Sequence, residues 1–121
     1  MSSENEMSTQ LQDQLTRLQQ LRSQLQMVIQ QRQQVEIRLR EVEQAIDALE
    51  KIDEATSVFR SIGSLLIKTK GKEEVLNELK EDKETLGLRK ATLDKQEGKL
   101  KEKLAEMESK VENALKLSQK T

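Results

Sequence analysis

Histidine, cysteine, proline, tryptophan and tyrosine are absent from these 121 residues, and phenylalanine occurs once, as Phe59. Each absence closes a class of function. Without His or Cys, the common zinc ligand sets and the Ser–His and Cys–His nucleophile pairs cannot be assembled. Nor can there be a disulfide framework or thiol chemistry, which fits an intracellular protein. Glycine occurs only four times, and the Gly-rich loops that cradle phosphates are missing. Neither sign of charge dominates, with 21 Lys and Arg against 22 Asp and Glu and a net charge of −1. The signs are interspersed, so there is no clustered basic face for nucleic acid. A zipper protein reading DNA needs a basic region, and here the N-terminal residues carry Glu4 and Glu6 instead. No apolar stretch approaches the roughly 20 residues that cross a bilayer. The acidic start is unlike a signal peptide, so the expected location is the cytoplasm. The expectation is a non-enzyme without cofactor or metal. Its many carboxylates at i,i+4 spacing read as a solvated helical face, with no pocket to shift their pKa values.

What is present is charge and helix-forming residues: 36% charged, 34% hydrophobic. Such a composition means a long helix or coiled coil if its apolar residues are periodic, and disorder if they are not. They are periodic. From Leu11 the series runs Leu15, Leu18, Leu21, Leu25, Val28, Arg32, Val35, Leu39, Val42, Ile46, Leu49. Steps of three and four alternate, apart from one extra three-step near Leu18, and only Arg32 is polar. Sustained over more than four heptads, this is a coiled-coil seam. Eleven glutamines lie between Gln10 and Gln34 and read as the solvated side of that helix. Ser3 with Glu6, and Thr9 with Gln12, both fit a capping box at its start.

A second seam follows Gly71: Leu76, Leu79, Lys83, Leu86, Lys90, Leu93, Glu97, Leu100, Leu104, Met107, Val111, Ala114. Gly87 and Gly98 lie within it as candidate bending points. The two seams fit one another. Residues facing across an antiparallel hairpin have position numbers with a constant sum. A sum of 125 pairs Leu49 with Leu76, Ile46 with Leu79, Leu39 with Leu86, Leu25 with Leu100, Leu21 with Leu104 and Leu18 with Met107. The polar positions then meet apolar ones: Lys83 faces Val42, Lys90 faces Val35, Arg32 faces Leu93 and Glu97 faces Val28. Their stems can lie along the seam with the charge in water. No pair sets two charges together. The spacing therefore predicts a single domain over 1–121, mainly α, in which two helices pair antiparallel within the chain. Helix 1 covers about 8–53 and helix 2 about 72–118, each arm spanning roughly 65–70 Å. Both chain ends should lie far from the connection.

That connection is too long for a minimal turn. Residues 56–62 and 65–69 favour strand, and Gly63-Ser64 between them suits a two-residue type II′ turn. A β-hairpin is expected over about 56–70. One face would carry Val58, Ile62, Leu65 and Ile67, the other Phe59 and Leu66 among Ser and Lys. A solitary hairpin is marginal in water and its edges are open. It makes physical sense as part of a larger sheet supplied by other subunits. Residues 68–72 hold three lysines beside a helix start and read as an ordinary loop. At the other ends of the arms, Met7, Leu11, Leu15, Met107, Val111, Leu115 and Leu117 form an apolar set. There Gln14 would face Val111, leaving Leu15 and Leu115 half-exposed. Fraying ends with Met and Leu suit varied apolar partners.

Two equal heptad arms around a single hairpin, 58–68, followed by Lys72-Glu73-Glu74-Val75, resemble the prefoldin family and its archaeal beta-class subunits. The stretch 86–97 is similar to that family's second helix. The resemblance implies an ATP-independent holdase chaperone. It implies that hairpins of two alpha-class and four beta-class subunits join in a β-barrel body, from which six coiled coils hang. Distal tips would hold unfolded proteins and deliver them to a group II chaperonin. Alpha-class chains carry two hairpins, and the connection here has room for one. The Gln-rich first helix departs from the pattern and bears on the growth temperature of the source. The competing reading is a structural coiled-coil spacer without clients, for which a tight turn would suffice.

Overall fold

The computed structural model describes the backbone of residues 2–119 and the side chains of Glu6 and residues 8–118. Four elements follow one another: α1 (Ser2–Glu50), β1 (Phe59–Ile62), β2 (Leu65–Lys68) and α2 (Lys72–Gln119). The architecture is mainly α, two long helices with a small antiparallel hairpin between them. Contacts divide the chain into two compact units. One is built from the stretches up to Arg32 and from Thr92 onward; the other is Gln33–Ala91. No helix among the described residues is long and apolar enough to cross a membrane.

In the second unit the seam packs as its spacing dictates. Val42, Ile46 and Leu76 form a buried cluster, with Leu49, Leu79 and Leu86 packed against it. Val42 is only 1% exposed. Lys83, expected to face it, is exposed, as a side chain that keeps its charge in water must be. Lys90 and Glu36 approach to 4.0 Å at the rim.

In the first unit Leu18, Leu93 and Val111 are buried. Here the helices run antiparallel, since Arg22 meets Glu108 and Arg32 meets Glu97. The extra three-step near Leu18 is resolved in favour of a regular heptad. Gln14 is half-buried and Leu15 is 41% exposed, so the glutamine takes the seam position. Keeping phase costs the helix nothing, whereas turning Leu15 inward would require it to overwind locally.

One expectation about the seam is corrected. Oppositely charged residues do meet there: Arg32 Nε donates to Glu97 Oε1 at 3.0 Å, with both side chains largely covered. The pairing is diagonal between neighbouring layers, which a same-layer register does not display. Lys101 also reaches Glu97, at 3.5 Å. Charges this far out of water need such partners to offset desolvation.

Near the hairpin, the end of α1 is capped by a long-range contact and the start of α2 by a local one. α1 has no basic residue in its last turn. Lys72 Nζ instead donates to the last carbonyl of α1, Glu50 O, at 3.4 Å and to Ile52 O just beyond the helix at 3.0 Å. A cation at that negative end is favourable. At the start of α2, the Lys70 amide donates to Glu74 Oε2 at 3.0 Å. At the other end of α1, Ser3 and Thr9 both lie inside the helix, so neither of the two expected capping boxes marks its start.

α2 runs unbroken through Gly87 and Gly98. A Cβ built at either meets nothing within 4 Å. Gly87→Ala and Gly98→Ala should each stabilise the chain by about 1 kcal/mol through helix propensity alone. Urea denaturation followed by circular dichroism reads this directly; an unchanged midpoint would mean that neither glycine is a helical position in solution.

Candidate interaction surfaces

The hairpin is built as its residues suggest. β1 pairs with β2 in the register Phe59 with Lys68, Arg60 with Ile67, Ser61 with Leu66 and Ile62 with Leu65. Gly63 takes φ +58° while no residue other than glycine has a positive φ among the described residues, the signs a type II′ turn requires. Thr69 closes the open end: its amide and its hydroxyl both donate to Val58 O, at 2.9 and 2.8 Å. Asp53 shapes the approach, accepting from the Thr56 amide at 3.0 Å through its carbonyl and from the Ala55 amide at 3.3 Å through its carboxylate.

Every strand residue is exposed. One face presents Ile62, Leu65 and Ile67 with Arg60; the other presents Phe59 and Leu66 with Ser61 and Lys68. Leu65 is 63% and Leu66 73% exposed. Val58, at the base, is half-buried. The sheet has only these two strands, so both edges are open. Arg60 interrupts the first face, and the sequence reading passed over it. Its guanidinium donates to the Glu78 carboxylate on α2. That hydrogen bond and the neighbouring charge raise its pKa above the ordinary value. Arg60 thus stays cationic and ties the hairpin to the second turn of α2.

The apolar set at the other helix ends separates into two kinds. Leu11 and Met107 are half-buried and Val111 is buried, so these three serve the seam. Leu15, Leu115 and Leu117 are exposed. The Met7 side chain lies outside the described residues. Leu15 and Leu115 each lie one heptad beyond Arg22 and Glu108 and continue that flank of the coil. Exposed apolar residues also occur where heptad reading does not look: Met27, Ile37 and Leu88 lie off the seam.

Comparison with known proteins bears on this arrangement. Residues 12–117 match the family model described as prefoldin subunit. The chain belongs to the prefoldin subunit family. It is similar to the prefoldin subunit beta of Archaeoglobus fulgidus, 48% identical over 50% of this chain and 51% of that protein. The corresponding beta subunit of Thermococcus onnurineus is 44% identical over 50% of this chain and 52% of its own length. The chain therefore spans about half the length of the curated prefoldin relatives it matches. Among solved structures, the prefoldin beta subunit from Thermococcus strain KS-1 superposes with a TM-score of 0.78 at 40% identity. That match covers 88% of this chain and 92% of the other. The beta2 subunit of the same strain, at 22% identity and a TM-score of 0.67, shares the fold.

Proposed function

We propose that this prefoldin-family chain is a subunit of an ATP-independent holdase of the cytoplasm. Its hairpin joins those of other beta-class chains and of an alpha-class partner in a closed barrel, two alpha to four beta. The exposed leucines at the helix ends remote from the hairpin hold unfolded proteins, which pass to a group II chaperonin. One observation carries the reading: a solitary hairpin with apolar side chains on both faces and both edges open. Such a sheet is marginal alone and is completed by strands from neighbours. A coiled-coil spacer has no use for it. Mixing the chain with an alpha-class subunit should yield a six-chain particle by mass measurement. That particle should suppress aggregation of a denatured client without nucleotide. A mixture that stays as separate chains, or protects only when ATP is added, would overturn the proposal.

A further inference from the structure

On one flank of the first unit, two adjoining hollows share Gln24 and Lys103 and make one continuous groove. The first, about 380 Å³, has Met27, Val28 and Leu100 on its floor and Lys99 at its rim. The second, about 490 Å³, continues past Leu21 and Met107 to Arg17 and Lys110, with Glu106 the one acidic residue lining it. The floor of the first hollow is apolar and reachable, since Met27 is 60% exposed, whereas polar groups line most of the second.

The charges of the two flanks differ. On the flank of Leu15 and Leu115, Arg22 is matched by Glu108. Around the groove, none of Arg17, Lys99, Lys103 and Lys110 makes an ion pair among the described residues. Four cations against one carboxylate leave a positive rim beside the apolar floor of the first hollow. From Arg17 to Gln31 the groove follows α1 for about 21 Å at the helical rise. An extended chain covers that length in about six residues.

We propose that this groove binds an extended polypeptide segment carrying both acidic and apolar side chains. It is a second client contact along the side of the arm, separate from the leucines at the helix ends. The inference rests on the chaperone reading above and narrows its substrate class. Apolar side chains would cover Met27 and Leu100 while carboxylates answer the lysines, an attraction that salt weakens.

The test is fluorescence anisotropy on the assembled complex, with a labelled ten-residue peptide of Glu, Leu and Ser and a counterpart with Lys in place of Glu. The acidic peptide should bind at least tenfold tighter. Lys99→Glu with Lys103→Glu should abolish the preference, and Lys99→Arg with Lys103→Arg should keep it. Met27→Ser, which leaves the seam and the charges alone, should weaken binding about fivefold. Equal affinity for the two peptides, or a preference untouched by the charge reversals, would overturn the proposal. So would displacement by single-stranded RNA at concentrations where unlabelled acidic peptide does not compete, which would mark a general polyanion surface. Client aggregation measured on the same preparations separates the two failures. A complex that protects no client refutes the chaperone reading, whatever the peptides do.

Discussion

Replacing Ile62 and Leu65 by lysine should abolish assembly while leaving the helices folded. The two residues face one another beside the turn and are both more than half exposed in the single chain. The free subunit therefore loses little by the change, and its helical circular dichroism should stay within a few per cent of the original. In the proposed closed barrel the same positions would be covered. Each copy then forfeits the burial of two large aliphatic side chains, about 1.5–3 kcal/mol apiece, and sets two like charges opposite each other. Burying unpaired ammonium groups adds several kcal/mol more. Summed over four beta chains, this exceeds what an oligomer of this size can absorb. With an alpha-class subunit present, sedimentation velocity should show single chains or small species where the proposed complex of the unaltered protein is a six-chain particle. Full-size particles from the doubly substituted chain would place the assembly surface elsewhere. Arg60 supplies the internal comparison, because it is a cation on the same face that the protein tolerates. Glu78 holds its charge against α2; lysines at 62 and 65 have no such partner within the register.

Much of this fold was legible in the chain because its information is one-dimensional. A seam is a spacing, and spacing survives without coordinates; hence Val42, Ile46, Leu76 and Leu93 lie buried where the heptads put them. The hairpin was legible for a similar reason. Gly63 and Ser64 sit between two β-prone runs, and only glycine suits the positive φ at the first turn position. What escaped was set by geometry between elements. Arg32 and Glu97 belong to neighbouring layers, and a register that lists only facing residues assigns each an apolar partner. Lys72 caps α1 from 22 residues beyond Glu50; no local pattern at the end of α1 announces it. Arg60 and Glu78 meet because the hairpin folds against α2, and their separation in sequence reveals nothing of that. The groove beside Met27 was missed because heptad analysis attends to positions a and d. It was detectable as a lone methionine off the seam with unmatched lysines on the facing helix.

Serine at Leu15, Leu115 and Leu117 together should sharply weaken client holding without touching assembly. The three side chains lie outside the seam, with Leu15 and Leu115 exposed to nearly the same degree, 41% and 42%. Leu18 and Val111 remain buried in the variant, so the coil should keep its register and stability. Each leucine still has about half its surface to offer, worth roughly 1 kcal/mol when a client covers it. One arm therefore contributes only about 3 kcal/mol, a weak contact by itself. In the proposed holdase, useful affinity would come from several arms engaging one client, each later contact being effectively intramolecular. Losses multiply in the same way, so the triple substitution should raise the complex concentration needed to halve client aggregation by a factor of ten or more. Light scattering of a diluted, denatured client reads this, with particle mass measured on the same sample to confirm six chains. Undiminished protection by an intact six-chain particle would remove these leucines from the holding surface. If the acidic peptide still prefers the lysine-rimmed groove in that variant, the flank and the helix ends act as separate contacts, and neither can be inferred from the loss of the other.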